Sequence, residues 1–396
     1  MHDMLAMAYG CVNGHGRPLM LILGTDSVAP MDADESIEAN LAPEARQAWT
    51  FVRQMLDDMT DMIVEEAESE LELLEGLRVL GRITALCSEL SLDVDVESPW
   101  FFPMYSEARL IGGPNPDGEY QLAMISGAHR YRVQGMRGTS AYLGFQVLAG
   151  VGLTPRHMAA YVSDTDLPLA ADGSFELVLC VDEPSAAELG DGLWVAVPED
   201  ASAIVVREYI ADRTGEELCQ LHIEPLDPLG APPLPDDTGV ALQLTAMGWT
   251  IVKLATLHRT IKPELLDQPN QLLTAEAADL GAADTTPDNL YMIGTFRLAP
   301  DEVLIVDFTP PDTRYWSITL ENIWHECIDH RRRRSSLTNA HAVRENDGTI
   351  RVVIASANPG HANWLDTGNR HRGFVVLRWL DNPTAPNVTT RVDRLG

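Results

Sequence analysis

Lysine is almost missing from this chain. Of 28 basic residues only Lys253 and Lys262 are lysines, and both fall in a stretch that reads as a helical connector, which argues against a Schiff-base mechanism. Cysteine is scarce too: Cys11, Cys87, Cys180, Cys219 and Cys327 are scattered, with no close pair of the kind a thiolate metal site or a redox motif shows. Reduced, buried thiols fit that spacing. Near the N-terminus the longest apolar run, Leu19 to Leu23, is too short for a signal core or a membrane span, and the chain opens without a basic n-region. A cytoplasmic protein is the expectation. The sequence also lacks a nucleophile elbow, a phosphate-cradling glycine loop, a dinucleotide fingerprint and a kinase signature, which removes the enzyme classes those motifs define.

Acid is what the chain holds in excess. The net charge is −31, and it is unevenly spread: residues 1–100 carry 20 acids against 5 bases, whereas residues 297–396 carry 12 against 13. Such a body repels nucleic acid and anionic membrane, so neither is an expected partner, while the near-neutral C-terminal part remains able to accept an anionic ligand. With 396 residues and 45% hydrophobic content, the chain is long enough for two domains with large cores.

Hydrophobic periodicity divides it further. Trp49, Val52, Leu56, Met59 and Ile63 recur at three and four residues, as do Leu73, Leu77, Leu80 and Ile83 after the acidic stretch Glu65 to Glu75. This predicts a helical hairpin over residues 43–92, a layer covering a sheet, with a partner or dimer interface as its alternative. Short alternating runs then predict strands at Tyr120–Ile125, Arg130–Gln134, Ala141–Leu148, Phe175–Val181, Leu193–Val197, Ala203–Tyr209 and Leu218–Ile223. The stretch His129 to Gly138, with three arginines, reads as a strand with polar residues facing water or as an anion site. Five prolines in residues 225–238 read as a stiff linker, Val240 to His258 as an apolar helix, and Leu265 to Asp284 as further helix or loop. Strands resume at Tyr291–Leu298, Val303–Phe308, Tyr315–Trp324, Ala340–Arg344, Thr349–Ala355, Gly373–Leu380 and Val388–Val392. The fold class expected is mainly β, with two antiparallel β-sandwich domains, an N-terminal helical hairpin and a helical connector. The corresponding segments are a loosely ordered 1–34, a helical layer at 35–98, a first sandwich at 99–226, linker and connector at 227–288, and a last domain at 289–396.

Chemistry concentrates between Arg314 and Trp379. Trp316, Ile318, Leu320, Asn322 and Trp324 share one face of an extended segment, so a single amide sits among apolar groups and needs partners. Arg378 poses the same problem within Phe374 to Trp379, because an unpaired charge in a buried strand is costly. The run Arg331 to Arg334, if extended, sends two guanidiniums to each face, and such planar forks suit carboxylate, sulfate or phosphate; a solvated strand end is the plainer reading. Glu326, Asp329 and Asp366 are the nearest acids. They either neutralise Arg332 or Arg378, or supply a general acid and base of the glycosidase type. Asn363 to Gly368 reads as a loop in which Trp364, flanked by an amide and an acid, suits sugar stacking, although a tryptophan plugging the sandwich end explains it equally well. His325-Glu326 with His330 invites a zinc reading, but the spacing is wrong for a helix and a strand sends the two imidazoles to opposite sides. A looser set recruiting His341, His361 or His371 is the metal alternative.

Arg314-Tyr315-Trp316, Asn322, Trp324, Asp329, Arg332, Ser336, Asn339, Asp347-Gly348, Pro359, Asn363 to Gly368, Gly373 and Arg378-Trp379 together resemble the bacterial family catalogued as domain of unknown function 1214. The likeness is dense over roughly residues 290–395 and weaker upstream. It implies a jelly-roll-like sandwich and no settled activity. The resulting expectation is binding, and hydrolysis by acid–base chemistry, of a polar sugar-like or anionic small molecule in one hollow of the C-terminal domain. Arg332 and Arg378 would supply charge, Asn322, Asn339, Asn363 and Asp366 hydrogen bonds, and Trp324 and Trp364 contact area. Glu326, Asp329 and His330 would carry the chemistry, with no metal and no cofactor. A non-catalytic, homo-oligomeric assembly protein and a His-ligated metalloenzyme are the rivals.

Overall fold

Capping chemistry sets the helices. Helix α1 (Pro43–Glu66) starts on a proline, whose fixed φ and missing N–H suit a first turn. Helix α2 (Glu70–Leu92) starts where the Ser69 hydroxyl accepts the N–H of Glu72 at 3.3 Å, and α3 (Asp237–Ala255) where Asp236 accepts that of Gly239 at 2.8 Å. The three pack through Val52, Ile63, Ile83, Leu86, Met247 and Ile251, and Trp324 from the C-terminal part joins the same cluster. The computed structural model describes residues 41–106, 108–150, 156–227, 230, 234–280, 285–381 and 383–395. The segment 1–34, expected to be loosely ordered, lies outside the described residues, as do Pro228, Pro232 and Pro233 of the proline-rich stretch.

Residues from Glu44 onward form one compact unit, and it is mainly β. The first sandwich faces a five-stranded sheet, ordered Phe102–Pro103, Gly118–Met124, Ala201–Tyr209, Tyr142–Ala149, His157–Ser163, against a four-stranded one, ordered Leu193–Ala196, Ser174–Cys180, Tyr131–Met136, Gln220–Pro225. Leu143, Phe145, Ile204 and Val206 meet Val133, Leu177 and Ile223 between them. The second sandwich repeats the plan. Its five-stranded sheet runs Leu273–Ala275, Asn289–Arg297, Arg372–Leu380, Trp316–Glu321, Ser336–Thr338, and its four-stranded sheet runs Trp364–Asp366, Ile350–Ala355, Glu302–Phe308, Val388–Arg394. Phe296, Val306, Ile318, Leu320, Ile354, Leu377 and Trp379 fill that core. Pairing is antiparallel except at Trp364–Asp366 and Leu193–Ala196, which lie parallel to their neighbours.

The two five-stranded sheets are joined by a layer of tyrosines and amides. Tyr209 stacks between Tyr142 and Tyr315 with ring centroids 5.0 and 5.2 Å apart, and Asn115 donates to the Tyr315 hydroxyl at 2.7 Å. Central strands Ala201–Tyr209 and Arg372–Leu380 are therefore covered on both faces, which is why they read as nearly continuous apolar runs.

Several sequence expectations need correction. Ala340–Arg344 is not a strand; the short strand lies earlier, at Ser336–Thr338, and Thr338 O accepts two turn N–H groups from His341 and Ala342. Leu273–Ala275, expected within helix or loop, is an edge strand pairing with Tyr291–Ile293, and Trp364–Asp366, expected in a loop, pairs with Val353–Ala355. His157–Ser163 was not anticipated at all, because its exposed N-terminal half breaks the apolar alternation. The arginines of His129 to Gly138 are matched by acids: Arg130 with Asp227 and Glu188, Arg132 with Glu176, Arg137 with Asp164. Cys87, Cys180, Cys219 and Cys327 are free and buried, as their spacing suggests. No helix among the described residues is long and apolar enough to cross a membrane.

Gly76, in the middle of α2, lets Ile63 and the Trp324 ring close onto the helix backbone; a Cβ there would stand 2.5 Å from Ile63 Cγ2 and 2.9 Å from Trp324 Cε2. Replacing a helix glycine ordinarily stabilises. Here overpacking reverses the sign: Gly76→Val should lower unfolding free energy by about 2 kcal/mol in a urea titration.

Candidate functional site

The strand Trp316–Glu321 stops where Asn322 captures the backbone. Its Oδ1 accepts the N–H groups of Trp324 at 3.0 Å and Glu326 at 3.1 Å, while its Nδ2 donates to Glu326 Oε2 at 3.1 Å. His325 takes φ of +60° in this turn and its carbonyl accepts the N–H of Gly113 at 2.8 Å. A second turn follows, in which the Asp329 carbonyl accepts the N–H groups of Arg332 at 3.2 Å and Arg333 at 2.9 Å. The arginine run is thus coiled rather than extended. Strict alternation of faces does not hold, and Arg331, Arg332 and Arg333 all line one cleft.

Helix α2 forms the opposite wall. Glu75, Arg78 and Arg82, spaced by three and four, present one helix face, and Arg370 closes the end. The cleft has a volume of about 500 Å³. Six guanidiniums face three carboxylates there, with His330 beside them. Arg82 pairs with Glu326, Arg370 with Glu75 (Nε to Oε1, 3.0 Å), and Arg331 with Asp329 (Nε to Oδ1, 3.3 Å), while Arg333 reaches outward to Asp366 at 2.9 Å. Arg332 is 80% exposed, with Asp329 3.7 Å away, and Arg78 makes no hydrogen bond or ion pair among the described residues.

Burial pushes the Glu326 carboxyl above the ordinary carboxylate range; Arg82 opposes the shift and Glu75 reinforces it. His330 is pushed below its ordinary value, mainly by burial, with Asp117 opposing. For Asp329 burial raises, but the Arg331 hydrogen bond and neighbouring guanidiniums outweigh it, and the carboxyl ends below its usual range.

The structure therefore gathers Glu326, Asp329, His330 and Arg332 into one cleft and places the other candidates elsewhere. Trp324 is buried among the helices, donating from Nε1 to Glu72 O at 2.8 Å. Asn363 is fully buried and ties Val343 and Arg351 together through their backbones. Trp364 donates to Ala355 O at 3.0 Å and packs on Val303, Ile305 and Val353. Asp366 accepts from Gly368 N and Arg333. Asn339 lines a different hollow, beside Trp316 and Arg344. Arg378 is 4% exposed, donating to Thr319 Oγ1 and Gly113 O at 2.8 Å each, with Glu321 Oε1 3.7 Å away. The other oxygen of Glu321 meets His325 Nδ1, whose ring stacks on Phe374 at 4.7 Å. The histidines do not converge. His341 lies near Asp212, His361 near Glu345 and His371 near Glu68, and no group of three or more His, Cys, Asp or Glu is placed to hold a metal ion among the described residues.

Residues 301–384 match DUF1214, described as a protein of unknown function. The DUF1214 segment contributes Glu326, Asp329, His330, the three arginines of the turn and Arg370; Glu75, Arg78 and Arg82 come from outside it. No curated protein matches the chain. An uncharacterized protein from Burkholderia cenocepacia, known from a crystal structure, is similar at 29% identity over 89% of this chain and 99% of its own, with a TM-score of 0.82. The VPA0106 protein from Vibrio parahaemolyticus aligns at 11% identity over 82% of this chain and 100% of its own, with a TM-score of 0.47.

Glu75, Arg78, Arg82 and Arg370 were not singled out from the sequence. Arg78 and Arg82 carried a usable signal, since a basic i, i+4 pair in a strongly acidic helical region points to a distinct face. Arg378 and Arg332 stand at opposite extremes of burial. Arg378→Met should cost about 3 kcal/mol or more in chemical denaturation, because Glu321 loses a buried counter-charge. Arg332→Ala, on a solvated side chain, should stay within about 0.5 kcal/mol of the unmodified protein.

Proposed function

We propose that this protein binds a small anionic molecule in the cleft between α2 and the 326–333 turns. The carrying observation is a local excess of guanidinium over carboxylate in a chain of net charge −31. Arginine forks recognise carboxylate, sulfate and phosphate oxygens in pairs, and Arg78 and Arg332 have the spare donors to do so. A space of about 500 Å³ suits a metabolite the size of a phosphorylated sugar or a dicarboxylate. Neither Trp324 nor Trp364 lines it, so recognition rests on charge rather than on ring stacking.

A hydrolytic step in the same cleft is the second part of the reading. Glu326, held protonatable by burial, would act as general acid, and His330, held neutral, would act as base toward a water. Asp329 stays ionised and orients Arg331. The rival, a purely architectural protein, draws support from the local saturation of Asn322, Asn363 and Arg378, and it needs no ligand.

Calorimetric titration with sulfate, phosphate, dicarboxylates and phosphorylated sugars tests binding. Arg78→Ala and Arg332→Ala should each weaken the best ligand by about tenfold, equivalent to about 1.4 kcal/mol, without changing thermal stability. A panel in which nothing binds, or in which neither variant alters affinity, leaves the architectural reading.

A further inference from the structure

We infer that Glu326 is the cleft's resident anion: an incoming ligand takes Arg82 from it, and Glu326 takes up a proton as the ligand binds. The inference rests on the anion-binding reading and adds how that binding is governed. It starts from an asymmetry in the pair. Arg82 is half-buried and Glu326 is its one hydrogen-bonded protein partner among the described residues, whereas Glu326 is 7% exposed and set in the cleft wall. An anion that engages the guanidinium face of α2 competes for the donors that Glu326 now uses.

Glu326 cannot follow Arg82 into water, because its position is fixed by the turn. Asn322 holds its N–H and one carboxylate oxygen, and its carbonyl accepts the N–H of Asn322 at 2.8 Å. The charges around it are Glu75, Arg78 and Arg82 from α2, Asp329 and His330 from the following turn, and Arg370 from the far wall. The Cys327 thiol is adjacent, donating to Pro114 O. Once Arg82 turns to the ligand, Glu326 is left facing a bound anion and the Glu75 carboxylate with one amide donor. A buried carboxylate in that setting neutralises rather than remaining charged. Its carboxyl already sits above the usual range before any ligand arrives. The sign follows from linkage: a group whose pKa rises on binding takes up a proton, so affinity falls as pH rises through the interval between the free and bound pKa values.

Sulfate is the probe, since its own charge is constant from pH 5 to 8. Titrating the full chain with sulfate in buffers of different ionisation enthalpy should show uptake approaching one proton, with affinity falling by up to about tenfold per pH unit inside that interval. Glu326→Gln, which keeps the Asn322 contact, should abolish the uptake, flatten the pH dependence and tighten sulfate by about tenfold. His330→Gln should retain the uptake, which separates Glu326 from the imidazole of the cleft. Sulfate binding without proton uptake overturns this inference alone, and so does uptake that survives Glu326→Gln or disappears in His330→Gln. No sulfate binding at any pH overturns this inference, and the anion-binding reading falls with it where the phosphate, dicarboxylate and sugar-phosphate titrations are blank as well.

Discussion

Glu72 and Glu75 are carboxylates that the fold removes from water, at 4% and 5% exposure, and each is met by an arginine from the end of the second sandwich. Arg372 grips Glu72 with Nε and Nη2 at 2.8 and 2.6 Å, and Arg370 grips Glu75. Buried pairs contribute little net stability against an apolar replacement, but removing one partner strands a charge, so the geometry is strongly enforced. The two pairs fix both the distance and the rotation of α2. Everything on the cleft face of that helix follows: with Glu75 pinned, Arg78 and Arg82 must point across at the 326–333 turns.

The charge asymmetry of the sequence has the same origin. Residues 1–100 are strongly acidic and the last hundred nearly neutral, and among the described residues the acids of the α1–α2 corner meet bases from the last hundred and from the stretch after α3. Glu66 meets His258 and Arg259, Glu68 meets Arg297 and Arg372, and Glu72 and Glu75 complete the series. The acidic stretch Glu65 to Glu75 is therefore not simply a solvated face. Arginine suits these contacts better than lysine would, because its fork spans both oxygens of one carboxylate or bridges two acids, as Arg372 does.

What could be read from the sequence was what is local. Period and turn chemistry located α1, α2, α3 and most strands, because burial of one face or of both leaves a pattern in the chain itself. The site was half legible. Glu326, Asp329, His330 and Arg332 could be picked out as titratable or fork-bearing groups close in sequence, and they do share a cleft. Their partners could not, because Arg78 and Arg82 lie more than 240 residues away and only the tertiary ion pairs bring them near. Trp324 and Asn322 misled for one physical reason: both were placed on the continuing strand face, whereas the asparagine side chain, by accepting two N–H groups, ends the strand at Glu321 and turns Trp324 into the helices.

The cleft's acids and arginines divide by depth, and the division bears on what the surface can do. Glu75 and Glu326 are buried and each holds one guanidinium in a set direction, so Arg370 and Arg82 are oriented before any ligand arrives. Arg78 and Arg332 stand at the solvent side without comparable restraint. An anion approaching a body of charge −31 is repelled at long range and attracted only within a few ångströms, where the unrestrained pair can reach it. Oriented donors deeper in the cleft lose little freedom when they exchange one oxygen partner for another, whereas the outer two must be ordered by the ligand itself. On the anion-binding reading proposed above, selectivity would therefore come from the inner arginines, whose directions are fixed by buried carboxylates, and the outer pair would add affinity that weakens with salt.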